Sequence, residues 1–276
     1  MTRHRRIQRH AAWLALCAWV FAVAATPALV LISVADEMAI GRRAESAMNA
    51  RTPRIGDRNI DAYVALLGRR LVRAAGGPAY EYTFHVANYS DVNAVTLPGG
   101  HIWVYRGALT AAGSEAQLAG VMSHEVAHAV LRHPASQISN AMLANMGLTL
   151  LGALLGNSGG ASTSAAAANA LTGGAFLAYS RDDELQADKV GAGILTKAGW
   201  DVRGLAQFLE RARAVSRHDP SAVAVFFSTH PALDTRIRDL ATVSSSKKQR
   251  QMTNSRFAEI KRRLNDLPPA ARAPRH

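Results

Sequence analysis

The chain has a single cysteine, Cys17, in 276 residues. No internal disulfide can form, which excludes a disulfide-stapled framework and leaves the redox compartment undetermined by cysteine usage. No staple is needed, because 49% hydrophobic residues over this length can bury a full core in one or two domains. A basic face of the kind that reads nucleic acid is also missing. The formal charge is +12. Arg3, Arg5, Arg6 and Arg9 lie in the first ten residues, however, and nine further lysines and arginines follow Ser246, so the excess sits at the ends. Nucleic-acid binding would want it spread over a folded surface with aromatic or base-reading partners, so no such partner is expected. There is no internal repeat.

What is present begins with a basic head and an uncharged run from Ala11 to Ala35. The apolar part up to Val23 has the length of a signal h-region, and Ala22, Val23 and Ala24 supply the small residues a signal peptidase prefers. The whole run is also long enough to span a bilayer, with Pro27 inside it. Residues 1–35 therefore read as a cleaved signal peptide or a retained anchor. Either delivers the rest of the chain outside the cytoplasm, to the periplasm or cell envelope.

Residues 36–245 read as one folded domain. "NIDAYVALLGRRLVRAAGG" places Ile60, Tyr63, Val64, Leu67 and Leu71 at helical spacing, and Gly76, Gly77 and Pro78 end it. Three short β-like runs follow, "YEYTFHVA", "DVNAVTLP" and "HIWVYRG", the last two joined by Pro98, Gly99 and Gly100 as in a hairpin. A helix then starts at Ser114, with Gln117 as a capping-box partner, and is expected to stop before Pro134. Residues 141–174 are poor in charge and rich in Ala, Gly, Leu and Ser, and are expected to form a buried or groove-flanking helix followed by a flexible insert. Residues 246–276 read as a basic tail. In it Phe257, Ile260 and Leu264 mark one stripe of a small helix, "PPAARAPRH" looks disordered, and the basic charge could touch a membrane surface.

The chemistry sits in "GVMSHEVAHAVLRHP". At about 100° per residue, His124 and His128 project from one face of a helix and can bind one zinc ion. Glu125 is flanking, placed to reach a water rather than to join the ligand set. This is the His-Glu-x-x-His zinc-peptidase pattern. His133, nine residues after His124, falls about 180° round a continuous helix and cannot join that metal. It reads instead as a helix-end histidine near the negative pole of the dipole. Zinc held by two histidines needs a third protein ligand with one position left for water. Glu184 in "SRDDELQADKVG" is the best candidate, with Asp188 one turn on to orient a ligand histidine. Read alone, Asp182, Asp183, Glu184 and Asp188 also fit a solvated acidic face.

"NAVTLPGGHIWVYRGAL", "SHEVAHAVLRH", "SRDDELQADKVG" and "STHPALDTRI" occur in the order and spacing of the peptidase family that contains HtpX and the CAAX prenyl proteases. The chain looks closest to its exported, BepA-like and LoiP-like bacterial members, over about residues 36–241. The resemblance implies an α+β, mainly helical, zincin-like domain with a small sheet or hairpin edge beside the His-Glu-x-x-His helix. It implies one zinc held by His124, His128 and Glu184, Glu125 as catalytic base, and Asp188 in support. It also implies that the segment from Asn93 through Ala94, Val95 and Thr96 to Leu97 lines the substrate cleft, with His230 and Arg236 near the active site. Without the resemblance, His230 is a loop histidine before a proline and Arg236 a surface arginine. The long C-terminal helical-repeat region of BepA-like members and the paired spans of HtpX-type members do not appear, so neither a repeat-mediated partner nor integral-membrane proteolysis is expected.

The expected function is zinc-dependent endopeptidase action on unfolded or misassembled proteins of the cell envelope, with polypeptides as partners. The alternative is an envelope chaperone that holds client polypeptides in the same groove, with little proteolysis. Against it stands Glu125, since a structural zinc site needs ligands but no base.

Overall fold

The computed structural model describes residues 30–154, 178–242 and 253–274. It is mainly helical, with one small sheet. Helix α1 spans Val34–Arg51, α2 spans Arg58–Ala75, and the strands are β1 (Thr83–Ala87), β2 (Ala94–Leu97) and β3 (His101–Tyr105). There follow α3 (Arg106–Ala111), α4 (Glu115–Val130), α5 (His133–Leu154), α6 (Arg181–Lys197), α7 (Arg203–His218), α8 (Ala224–Thr229), α9 (Leu233–Ala241) and α10 (Ser255–Asp266). This is the α+β architecture with a small sheet that the sequence predicts.

Helix α4 is the axis of the fold, buried along its length from Glu115 to Ala129. Ser114 caps it by accepting the N–H of Gln117 at 3.3 Å, while the Gln117 side chain accepts from Gly113 N rather than closing the reciprocal bond to Ser114. Helices α2, α6 and α7 and strand β2 pack around it. The α2 stripe Ile60, Tyr63, Val64, Leu67 and Leu71 is fully buried, as its spacing predicts. Helix α7 comes close because two glycines face the crossing. A Cβ on Gly204 would lie 2.2 Å from the carbonyl oxygen of Ala116, and one on Gly120 would lie 2.6 Å from Leu205 N. Gly204→Ala should therefore force the helices apart. The expected cost is about 1–3 kcal/mol, read as a lower urea midpoint with one zinc still bound per chain.

The sheet order is β1-β3-β2, with β1 parallel and β2 antiparallel to β3. Pro98 to Gly100 make the expected hairpin turn, for which Gly99 and Gly100 take φ of 74° and 87°. Strand β2 is thus an outer strand, lying beside α4.

Three boundaries differ from the sequence reading. Helix α4 ends at Val130, not just before Pro134, because Arg132 adopts a left-handed φ of 59° and a new helix starts at His133. Pro134 sits in the first turn of that helix, where its missing N–H leaves no bond unmade. Ile32, assigned to the uncharged export run, packs with Ala135 and Ile138, and Ser33 caps α1. The rest of that run, to residue 29, lies outside the described residues, as does the insert from residue 155 to 174. The part from 141 to 154 continues α5.

The third correction concerns the basic tail. Phe257, Ile260 and Leu264 of α10 join the main core. Buried Arg106 donates to the carbonyls of Leu264, Leu267 and Pro268 and caps that helix end. Past the helix, Ala271 pairs with Tyr89 and accepts from Ser90 N at 2.8 Å, so residues 268–274, read as disordered, are held against the sheet side of the domain. Among the described residues no helix is long and apolar enough to cross a membrane.

Candidate active site

His124 and His128 point their Nε2 atoms at one another, 2.9 Å apart. Helix α6 can approach this spot because Gly191 has no side chain: a Cβ there would sit 3.2 Å from both Cα and N of His124. Two turns before Gly191, Glu184 enters with Oε1 3.5 Å from His128 Nε2 and Oε2 3.5 Å from His124 Nε2. His230, just after α8, brings Nδ1 to 3.0 Å from Glu184 Oε1 and 3.4 Å from His124 Nε2. One ligand atom from each of these four residues lies within 4.8 Å of all the others, and all four residues are buried.

The outward nitrogens are tied down. His124 Nδ1 lies 2.9 Å from Asp188 Oδ1. Arg236 grips Asp188 with two bonds, Nε to Oδ2 at 2.7 Å and Nη2 to Oδ1 at 2.8 Å, and its Nη1 pairs with Glu184. Arg236 is 0% exposed, which corrects the reading of it as a surface residue. The solvated acidic face is likewise corrected for Glu184 and Asp188, both buried. Asp183 instead completes a capping box with Ser180 at the start of α6. His128 Nδ1 lies 2.8 Å from His133 Nδ1, and the His128 ring stacks on Tyr179 with centroids 3.8 Å apart.

Glu125 is fully buried. Its Oε2 accepts from Thr96 Oγ1 at 2.8 Å, while Oε1 has no hydrogen-bond partner and lies 3.6 Å from His230 Nε2. Val95, Thr96, Leu97, Pro98, Tyr179 and His230 line a cleft in front of it. Asn93 and Ala94 are not among its walls: the Asn93 carbonyl accepts from Tyr105 N and its side chain caps Ala94 N.

Charge follows geometry. Burial and the Arg236 charge push His124 down, but Glu184 and Asp188 outweigh them and its pKa is raised to about 9 in the protein alone. Burial, reinforced by His124, holds His128 well below the usual histidine range. Burial works against ionised Glu184, yet His230, His124 and His128 hold its carboxyl far below the usual carboxylate range. Asp188 is also lowered: burial opposes this, and Arg236 and His124 prevail. A convergence of imidazoles on an anionic carboxylate, with outer nitrogens anchored, has the donor chemistry of a divalent zinc site.

The peptidase family M48 sequence model matches residues 59–244, more than half of the chain. The chain belongs to peptidase family M48. It is 26% identical over 249 residues to a beta-barrel assembly-enhancing protease of Yersinia pestis, covering 86% of this chain and 50% of that protein. Against the beta-barrel assembly-enhancing protease of Escherichia coli K12, it is 27% identical over 214 residues, covering 75% and 44%. It is also 31% identical over 205 residues to the mitochondrial metalloendopeptidase OMA1 of Schizosaccharomyces pombe, covering 72% and 59%. The chain thus spans about half the length of these relatives. Zinc is its cofactor, and the M48 chain offers four buried groups that could hold it.

Three contacts of the M48 site escape sequence reasoning. Thr96, read only as a cleft residue, holds Glu125. Tyr179 carries no motif signal. His133 reaches His128 because the helix breaks between them, and the one sequence cue was Pro134, a residue suited to a helix start.

Proposed function

We propose that the chain is a zinc metalloendopeptidase that hydrolyses peptide bonds in unfolded or misassembled proteins of the cell envelope. The observation that carries this is the buried convergence of His124, His128 and Glu184 beside a carboxylate, Glu125, whose Oε1 is left free of hydrogen bonds. Zinc, when bound, supplies Lewis-acid activation of water and of the scissile carbonyl. Glu125 is the base: Thr96 fixes Oε2, leaving Oε1 to take the proton of the attacking water and return it to the leaving amine. His230 Nε2 faces the same space and is suited to donate to the developing oxyanion. Asp188 and Arg236 hold His124 and Glu184 in register.

The substrate would lie extended along the outer edge of β2, beside Val95, Thr96 and Leu97, held by main-chain pairing that tolerates many sequences. Envelope clients and a periplasmic or envelope location are supported by the basic-then-apolar start of the sequence and by relatives named for enhancing β-barrel assembly.

Chelator treatment should reduce cleavage of unfolded casein to background, and one equivalent of zinc should restore it. Cleavage indifferent to chelation would overturn the proposal. Zinc must also displace the proton that His124 binds up to about pH 9. Apparent zinc affinity should therefore fall by up to about tenfold per unit as pH drops below that value.

A further inference from the structure

The two helix histidines are anchored differently. His124 turns Nδ1 to a carboxylate, whereas His128 turns Nδ1 to another imidazole, that of His133 at 2.8 Å. We infer that His133, backed by Asp183, is a positioning residue that sets the tautomer and ring angle of His128. The inference rests on reading His124, His128 and Glu184 as the zinc ligands.

Counting protons leaves one arrangement. For His128 Nε2 to hold a cation it must be bare, so the ring proton sits on Nδ1. That N–H donates to His133 Nδ1, which must be bare in turn, placing the His133 proton on Nε2. His133 Nε2 lies 3.6 Å from Asp183 Oδ1, and a carboxylate at that side favours the N–H there. Reversing the chain would put a proton on His128 Nε2, which faces His124 Nε2 at 2.9 Å in the space the metal needs.

Both members are built in place. The left-handed backbone of Arg132 breaks the helix and swings His133 back towards His128. On a continuous helix, the nine-residue offset from His124 would carry His133 to the far side. The break is pinned by Arg132 itself, whose Nε donates to buried Glu37 at 2.8 Å and whose Nη2 donates to the Ile32 carbonyl at 2.8 Å. Asp183 is fixed by its capping box with Ser180. His133 is 3% exposed, so it has no surface role to explain it.

The test uses the full chain with His133→Phe and His133→Asn. Zinc affinity is measured by competition with a chromophoric chelator, and ligand geometry by the visible spectrum of the cobalt(II)-loaded protein. His133→Phe fills the space but can neither accept nor donate. It should weaken zinc binding about 10–100-fold and shift the cobalt bands. His133→Asn can accept near the Nδ1 position and should recover most of the affinity and the wild-type bands. Wild-type zinc affinity and spectrum in His133→Phe would overturn the inference. So would equal losses in both variants, which would mark a packing role only. Should His133→Phe fail to fold, Asp183→Asn supplies the comparison: weaker zinc binding at an unchanged urea midpoint is expected, and wild-type affinity overturns the inference. Wild-type protein that neither binds zinc nor cleaves casein would sink the metallopeptidase reading and this inference with it. Competent wild type beside an indifferent His133→Phe sinks this inference alone.

Discussion

Glu125→Gln should abolish casein cleavage while leaving one zinc bound per chain. The substitution keeps the shape of the side chain, and an amide oxygen can still accept from Thr96 Oγ1, so the packing of a fully buried residue is preserved. What it removes is the ability of the free oxygen to take a proton. Losing a positioned general base lowers kcat by about 10²–10⁴-fold, and here the same group would also protonate the leaving amine, so the upper end is expected. The measurement is kcat/KM on unfolded casein beside metal content and urea midpoint. Retained zinc and an unchanged midpoint with lost cleavage fit the peptidase. Cleavage within about tenfold of wild type would remove Glu125 from the chemistry. Unchanged handling of unfolded clients by an inactive variant would instead favour the chaperone reading.

The sequence makes part of this site legible and hides the rest for physical reasons. His124 and His128 are visible because a four-residue offset nearly closes a helical turn, whatever the fold around it. The Ile60 to Leu71 stripe and the Pro98 to Gly100 turn are visible for the same reason, since each is a local rule. Glu184 lies sixty residues from His124, and its arrival depends on Gly191 letting two helix backbones approach. An acidic cluster alone does not show that. His133 is hidden more deeply. The angular argument that separates it from the metal is sound for a continuous helix, but a non-glycine residue, Arg132, takes the left-handed turn, and the partner that holds it there, Glu37, is ninety-five residues away. The C-terminal stripe Phe257, Ile260 and Leu264 was legible as a helix. That it docks in the core was not, because the cap that orders its far end comes from Arg106.

Glu184→Ala is expected to lose both metal and stability, and the pairing decides between two ligand sets. Four groups converge, so zinc could in principle be held by His124, His128 and His230 without the carboxylate. Three neutral imidazoles offer no negative charge, whereas Glu184 is held ionised by the histidines around it. Its removal also strips one carboxylate from Arg236, which is 0% exposed and keeps Asp188 as its only remaining carboxylate in contact, beside the His124 ring. Deleting one side of a buried ion pair costs about 3–5 kcal/mol, because the remaining charge stays desolvated. The variant should therefore bind less than about a tenth of an equivalent of zinc under conditions that saturate wild type. Its urea midpoint in chelator should also fall below that of chelated wild type. Glu184→Gln separates the two effects: it fills the space and offers Arg236 an acceptor, so it should regain part of the midpoint and little of the metal. If Glu184→Ala instead retains one tightly held zinc, His230 is the third ligand. His230 would then bind through Nδ1, the nitrogen that faces Glu184 and His124, which leaves its proton on Nε2 beside Glu125, and Glu184 would lose its place in the ligand set proposed for the site.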